Sequence, residues 1–154
     1  LSTNQGVDSI SYLPLLRDPN AKAPRQNLQM QGTHGWAYRM GDWKLCLCPG
    51  SGALGVYGNV PKPVDAWPAA VKKFGNNPTR EQLIEAPFVQ LFNLKEDLGE
   101  MEDVSKQNPN VVKQMYELMR QQFANGRSTP GPKQTNDRNT LNYWSRIPSG
   151  ILTN

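Results

Sequence analysis

The sequence predicts an α+β fold: a small antiparallel sheet of about four strands with one C-terminal helix packed on a face, long loops and an extended tail. Two strand-like runs flank a Gly-Asp turn at residues 41–42. A long amphipathic segment begins at Asn108 and Pro109, residue types that favour a helix start. The 13 prolines among 154 residues exceed average usage and indicate long loops.

The N-terminal part predicts a short helix followed by a linker. Asp8 can cap a helix over residues 8–16, in which apolar residues recur at helical spacing. Residues 17–25 contain two prolines and are typical of a linker. Because the first residue is leucine and no signal peptide is present, we expect the chain to be a segment of a longer protein.

Residues 36–47 predict a β-hairpin with a two-residue turn. In that register, aromatic and aliphatic side chains form one face in the opposing pairs Met40–Trp43, Tyr38–Leu45 and Trp36–Leu47. The other face pairs Ala37 with Cys46 and Arg39 with Lys44. The first face must be covered by another element. A third strand is expected before the hairpin, at residues 27–31.

The middle of the chain predicts a loop, an insertion and a fourth strand. Residues 48–59 are rich in glycine but lack the Lys-Ser/Thr ending of a phosphate-binding loop. Residues 60–87 are expected to form an insertion with short helices at 65–74 and 79–86. Residues 88–94 alternate well enough for a strand.

The predicted C-terminal helix carries one apolar face and serves as the lid over the sheet. Its apolar positions are Val111, Val112, Met115, Leu118, Met119 and Phe123. Gly126 suits the end of the helix. After it, only a few apolar residues between 141 and 152 could anchor an extended tail.

Charge and hydropathy exclude two classes of partner. The 17 basic and 13 acidic residues give a net charge of +4, but the basic residues are scattered rather than clustered. No nucleic-acid-binding module is recognisable, so no nucleic acid is expected as a partner. No run approaches the roughly 18 consecutive apolar residues of a membrane helix, so no membrane association is expected either.

No metal site is expected from the sequence. Cys46 and Cys48, two residues apart on a strand, would form a strained disulfide, and we interpret them as two small buried residues. Two thiols and one histidine do not make a typical four-ligand zinc site. The acidic residues of segment 96–103 lack the order of a calcium-binding EF-hand loop and predict a solvated turn.

Four segments, in this order and spacing, resemble the sulfatase family. Residues 8–16 (DSISYLPLL) resemble the segment that closes the sulfatase catalytic domain. Residues 37–45 (AYRMGDWKL) are similar to the family hairpin A-x-R-x-G-x-W-K-L. Residues 90–100 (QLFNLKEDLGE) resemble Q-L-Y-D-L-x-x-D-P-G-E. Residues 126–132 (GRSTPGP) with 136–137 resemble the tail of bacterial arylsulfatase A-like enzymes.

The resemblance implies a C-terminal subdomain, in which a four-stranded antiparallel sheet with one helix docks on a larger catalytic domain. That domain would be the partner, in the same parent chain, and would hold calcium and a formylglycine made from a C/S-x-P-x-R motif. The motif is absent from this sequence: Cys46 and Cys48 are followed at the fourth position by Gly50 and Gly52. We therefore expect no catalytic residue, metal ligand or cofactor in this segment, although the parent resembles an arylsulfatase-type enzyme.

The expected organisation follows the same resemblance. Residues 1–25 would end the catalytic domain and continue as a linker, 26–126 would form the subdomain, and 127–154 would be an extended tail. The family implies a periplasmic or secreted location. A sheet face that the parent would cover predicts a homodimer of the isolated fragment, or a tail folded back across that face.

The candidate substrate-binding residues are His34, Arg39 and Lys44. Like charges at Arg39 and Lys44 oppose each other in the hairpin, which predicts either a solvated or edge position or a contact with a sulfated substrate or an acidic surface between domains. Relatives often carry histidine where this chain has Gln29 and Met30, and His34 is displaced towards the turn. The alternative function is a free-standing basic module that binds sulfated or acidic polysaccharide without hydrolysis.

Overall fold

The computed structural model describes residues 5–32, 35–48 and 88–136. These ranges contain four strands, β1 (Asn27–Gly32), β2 (Gly35–Met40), β3 (Trp43–Leu47) and β4 (Val89–Asn93), and two helices, α1 (Leu13–Arg17) and α2 (Pro109–Asn125). The strands form one antiparallel sheet in the order β1-β2-β3-β4. The predicted α+β class, with four strands and one main helix, is confirmed. The expected loop at 49–59, the helices at 65–74 and 79–86, and the tail from 137 onwards lie outside the described residues.

The predicted hairpin register is confirmed at every pair. Met40 lies opposite Trp43, and the pairing continues to Trp36 opposite Leu47. Gly41 occupies the first turn position with φ of +58°, a left-handed conformation that favours glycine. Because side chains alternate along each strand, this register sends Tyr38 and Leu45 to one face and Arg39 and Lys44 to the other.

The outer edge of β4 is covered by the segment that follows it. The Leu91 amide donates to Asp103 Oδ1 at 3.0 Å, and the Val104 amide donates to the Leu91 carbonyl at 2.9 Å. Residues 103–104 thus satisfy both backbone groups of Leu91 at a sheet edge that would otherwise be open.

The core lies between the sheet and α2. Its buried members are Tyr38, Leu45, Leu47, Phe88, Val89, Leu91, Val112, Met115, Tyr116 and Met119. The helix stripe at 112, 115, 116 and 119 has the spacing of one helical face. It is rotated slightly from the predicted stripe: Tyr116 is buried, whereas Val111, Leu118 and Phe123 pack at the border. Phe123 still contacts the sheet, with its ring edge-to-face against Trp36 and the centroids 4.6 Å apart.

Helix α2 ends at the predicted glycine. Gly126 adopts φ of +63°, and its amide donates to the carbonyl of Phe123 at 3.0 Å. A side chain there would also collide with the Gln134 carbonyl, since an added Cβ would lie 2.4 Å from that oxygen. At the other end Pro109 occupies the first turn, but the Asn108 side chain donates to the Val104 carbonyl rather than accepting a bond from the helix.

The N-terminal helix is shorter than predicted. It spans Leu13–Arg17 rather than 8–16, and Tyr12 occupies its N-cap position. Asp8 does not cap a helix because its Oδ1 accepts hydrogen bonds from the amide and hydroxyl of Ser128, at 2.6 and 2.8 Å. Pro14 stands in the first turn, where proline is tolerated. No residue of α1 is buried.

Burial of two tyrosines predicts a loss of stability at alkaline pH. Burial raises the pKa of Tyr38, and the nearby Gln122 side chain lowers it by a smaller amount. Burial also raises the pKa of Tyr116, and the charge and hydrogen bond of Arg120 offset only part of this increase. Above about pH 10 the unfolded chain loses these protons first, so it binds fewer protons than the folded chain. The free energy of unfolding is therefore expected to fall as pH rises through that range.

The variant Tyr38→Phe should show a shallower alkaline fall than the parent chain. Its stability at neutral pH should change little, because the buried Tyr38 hydroxyl makes no hydrogen bond of normal geometry. Urea unfolding at about pH 8 and about pH 11 would measure both. An unchanged alkaline slope in the variant would show that Tyr38 is not responsible.

Candidate functional site

The structure places two of the three predicted site residues next to each other. Arg39 of β2 and Lys44 of β3 are directly paired across the hairpin, on the sheet face that points away from α2. His34 lies outside the described residues. The hairpin therefore presents two basic side chains side by side on one sheet face.

Lys44 is held by an acidic residue that follows β4. Its Nζ lies 2.5 Å from Glu100 Oε1, and both side chains are about four-fifths buried, with relative exposures of 21% and 20%. Burial by itself would lower the pKa of the Lys44 ammonium. The electrostatic interaction with Cys46 and the hydrogen bond and charge of the Glu100 carboxylate are together stronger, so the pKa is raised. Glu100 has φ of +54°, an uncommon conformation for a residue with a side chain. This ion pair removes the like-charge repulsion that the hairpin register alone would produce.

Arg39 keeps its charge available to solvent. It is exposed, and its Nε donates to the Gly41 carbonyl at 3.2 Å. Within the described ranges no carboxylate lies at ion-pair distance from it. Of the two basic residues, Arg39 is therefore the one able to meet an external anion.

The same sheet face carries a second, sulfur-containing cluster, which consists of Cys46, Cys48 and Phe92. All three side chains are buried, with Ala37 and Leu94 packed against them. Both cysteines are free thiols. The Cys46 thiol is hydrogen-bonded to Cys48, and this bond together with burial raises the pKa of Cys46. The same bond, with help from Lys44, lowers the pKa of Cys48 against the opposing effect of burial.

The acidic residues after β4 act on the backbone of their own turn. Asp97 Oδ2 accepts from the Glu102 amide at 2.8 Å, and Asp103 Oδ1 accepts from the Ser105 amide at 2.9 Å. Across the three described ranges, no three His, Cys, Asp or Glu side chains are grouped so as to hold a metal ion.

A cleft that sequence reasoning missed lies beside β1 and the C-terminal end of α2. Its volume is about 360 Å³, and its lining side chains come from four separate parts of the chain. They are Asp8, Arg25, Leu28, Gln29, Gln31, Trp36, Gln122, Phe123, Arg127, Ser128 and Asn136. No local motif could have indicated the cleft, because it forms from residues up to 128 positions apart, from Asp8 to Asn136.

Most polar groups of the cleft are committed to bonds within the chain. Arg25 Nη2 donates to the Asp8 carbonyl at 2.5 Å. Gln29 Nε2 donates to Gln122 Oε1 at 2.9 Å, and Gln122 Nε2 donates to Asn27 Oδ1 at 2.8 Å. Most polar side chains of the cleft are therefore hydrogen-bonded to other groups of the protein.

Arg127 joins the two ends of the described chain at one side of this cleft. Its Nη1 donates to the Pro132 carbonyl at 3.1 Å, and its Nη2 donates to Thr129 Oγ1 at 3.0 Å and to the Val7 carbonyl at 3.4 Å. The buried Nε has no hydrogen-bond partner. A guanidinium used in this way positions backbone segments and is not free to bind a ligand through its two terminal nitrogens.

Comparisons with known proteins give a limited result. No family model matches the chain, and no curated protein matches it. Among solved structures, the chain is similar to part of a Bacteroides thetaiotaomicron sulfatase (BT33336S-sulf) connected with the metabolism of multiple glycosaminoglycans. The identity is 22% and the TM-score 0.44, over 73% of this chain and 19% of that one. This chain thus corresponds to about a fifth of the length of that protein.

The described part of the chain contains no helix that is long and apolar enough to cross a membrane.

Proposed function

We propose that the chain is the C-terminal subdomain of a sulfuric ester hydrolase, that it supports the catalytic domain, and that it hydrolyses nothing by itself. The observation that carries the proposal is the meeting of the first and last sulfatase-like segments. Segments 8–16 and 126–132 are separated by more than 100 residues, yet they are joined by hydrogen bonds beside the sheet that carries the other two segments.

The contacts between the two segments are specific for their residue types. The Ser128 amide and hydroxyl both donate to the same oxygen, Asp8 Oδ1, which requires a side chain that places an acceptor oxygen at this position. The Thr129 hydroxyl and Arg127 both donate to the Val7 carbonyl, beside Asp8. The residues that carry the resemblance thus fix each other in place, which supports their origin in one structural unit.

Exposed apolar side chains at and near α1 support the proposal that a larger domain lies against this side of the chain. Helix α1 has no buried residue, and four apolar side chains nearby in sequence are exposed: Tyr12 by 51%, Leu13 by 46%, Leu16 by 82% and Leu28 by 42%. An apolar helix of five residues is too short to be stable without tertiary packing. We propose that the catalytic domain of the parent chain covers α1 and Leu28.

Other features of the proposal concern the parent rather than this segment. Residues 1–25 would belong to the end of the catalytic domain, 26–126 to the subdomain and 127–154 to the tail. Calcium and formylglycine would be held by the catalytic domain, in a periplasmic or secreted enzyme. Arg39, being exposed and without an acidic partner in the described ranges, is the residue best suited to reach an anionic substrate at the domain boundary.

The isolated chain is expected to pair with a second copy of itself when the catalytic domain is absent. Exposed Leu16 and its neighbours would then find apolar cover in a symmetric dimer. Light scattering at micromolar concentration should show the dimer, and Leu16→Ser should shift it towards monomer. A monomeric parent chain would argue against an uncovered docking surface.

The catalytic part of the proposal is tested by an activity assay. With an aryl sulfate and calcium, the isolated chain is expected to show no turnover above the uncatalysed rate, because it lacks the formylglycine motif. Turnover that survives repurification and is lost on mutation of Cys46 or Cys48 would contradict this.

The alternative, a free-standing module that binds acidic polysaccharide, is not favoured. It requires Arg39 and Lys44 to act together, but Lys44 is neutralised by Glu100 at 2.5 Å. An isolated exposed arginine provides little of the clustered positive charge that a polyanion recognises.

A further inference from the structure

The two edges of the sheet differ in how their backbone groups are satisfied. At the β4 edge, Asp103 and Val104 bond to the amide and the carbonyl of Leu91. At the other edge, β1 pairs with β2 on one side only, because the strand order of the sheet is β1-β2-β3-β4. An edge strand without cover presents a row of amides and carbonyls that can pair with another chain. The β1 edge is therefore the interaction surface that the sheet offers.

The hairpin register determines which backbone groups of β1 point outwards. In a two-residue hairpin the closing pair, Met40 and Trp43, is hydrogen-bonded, and hydrogen-bonded pairs then alternate along the strands. Arg39 therefore directs its backbone groups to β1, where it lies opposite Leu28. The residues of β1 that direct their amides and carbonyls to the free edge are then Asn27, Gln29 and Gln31. Within the described ranges these groups form no backbone hydrogen bond.

β1 has none of the sequence features that usually keep an edge strand from pairing. Its six residues, NLQMQG, include no charged residue and no proline. Leu28 is 42% exposed and Gln31 is exposed, so the strand can be reached from outside. The cleft of about 360 Å³ is lined by Leu28, Gln29 and Gln31, which leaves open space next to the strand. The edge is thus both unpaired and accessible.

We propose that the β1 edge binds the β1 edge of a second copy of this chain, in a symmetric antiparallel pair that joins the two four-stranded sheets into one. One register engages all the outward residues: Gln29 lies opposite Gln29 of the second copy, and Asn27 lies opposite Gln31. Each of these pairs exchanges both N–H···O bonds. A shift of two residues in either direction would place one outward residue of each copy opposite a position beyond the end of β1.

The side chains of β1 are compatible with this symmetric pairing. Leu28 shares the sheet face of Arg39, away from α2, and in the proposed register it lies opposite Met30 of the second copy. The exposed leucine thereby gains an apolar neighbour across the strands. A two-fold axis places each strand against its own copy, where a charged residue would meet a like charge, and β1 carries none. A second copy of the same strand is therefore the partner that fits this edge.

The proposal specifies the contact in the dimer expected of the isolated chain, and it rests on that expectation. The first test compares Gln31→Pro with Gln31→Ala by analytical ultracentrifugation of the 154-residue chain, with circular dichroism to confirm that both variants fold. Proline removes the outward amide and is tolerated on an edge strand whose N–H faces away from the sheet, whereas alanine removes the same side chain and keeps the amide. The Kd of the dimer should be at least about fivefold higher for Gln31→Pro, because symmetry removes two hydrogen bonds, each worth about twofold or more.

Amide hydrogen exchange in the parent chain tests the contact without a substitution. The amides of Gln29 and Gln31 should exchange about tenfold more slowly when about nine-tenths of the chains are paired than in dilute solution, since they then exchange only from the monomer. The amides of Leu28 and Met30, which bond to β2, should exchange slowly at both concentrations.

Three results would overturn the proposal: a monomer at every concentration, equal Kd values for Gln31→Pro and Gln31→Ala, or fast exchange at Gln29 and Gln31 in a solution of dimers. A dimer that Leu16→Ser weakens, but in which both amides exchange fast, would contradict the β1 contact alone and leave the proposed subdomain role standing.

Discussion

Replacing Leu91 by alanine is expected to lower the free energy of unfolding by about 2–5 kcal/mol. Leu91 is fully buried in β4, opposite Leu45, and packs in the core that α2 covers. Truncation removes apolar contacts and leaves a cavity that a tightly packed sheet cannot close completely. Since small domains are stable by only about 5–15 kcal/mol, this loss would be a large part of the total.

The matched control is Leu98→Ala, which deletes the same atoms from a side chain that is 83% exposed. It should change stability by less than about 0.5 kcal/mol. Urea unfolding with a common slope for the two variants would give both values. A loss for Leu98→Ala as large as that for Leu91→Ala would show that the core is not where the structure places it.

Asp103→Ala is expected to have the second-largest effect, a loss of about 2–3 kcal/mol. Its Oδ1 accepts from the amides of Leu91 and Ser105, at 3.0 and 2.9 Å. The Leu91 amide belongs to a buried edge strand, so removal of the acceptor leaves a donor that water does not easily reach. The Leu91 carbonyl keeps its bond to the Val104 amide, so the strand should weaken without being lost.

Asp103→Asn separates the hydrogen bond from the charge. The amide oxygen of asparagine can accept the same two bonds, so this variant should retain most of the stability that alanine loses. Amide hydrogen exchange at Leu91 would report the bond directly, with fast exchange in Asp103→Ala and slow exchange in the parent chain. Equal protection in all three chains would show that another group covers this edge.

The fold was predictable where the signals were local. The Gly-Asp turn fixed the register of the hairpin, because a two-residue turn allows a single pairing of the flanking strands. The ends of α2 were also marked by local residue preferences, with Asn108 and Pro109 at its start and Gly126 at its end. The sequence did not show which apolar residues of α2 are fully buried. Val111 and Val112 are both apolar, but their side chains point in directions that differ by about one-third of a turn.

The candidate site was less predictable because its contacts are distant in sequence. The sequence placed Arg39 opposite Lys44, but it could not indicate Glu100, which lies 56 positions from Lys44 and neutralises it. Asp8 was predicted as a helix cap, and its actual partner Ser128 is 120 positions away. Spacing along the chain carries no information about such pairs, so only the folded structure reveals which charges remain free.

The bond of Asp8 to Ser128, which Asp8 makes instead of capping α1, also bears on the proposed function. A carboxylate that joins the two ends of the described chain closes the unit at one side, while exposed α1 leaves another side open. A domain that evolved to be free-standing would not be expected to expose Leu16 by 82% beside other apolar side chains. This combination of closed and open sides supports the proposed subdomain role.

The central claim is tested most directly by the mass and peptide composition of the native polypeptide. An antibody against this chain would capture the protein from its natural source, and mass spectrometry would give its intact mass and internal peptides. We expect a polypeptide much longer than 154 residues, with a formylglycine peptide in a C/S-x-P-x-R context on the N-terminal side of Leu1. A native polypeptide of 154 residues, or a longer one without that motif, would contradict this expectation.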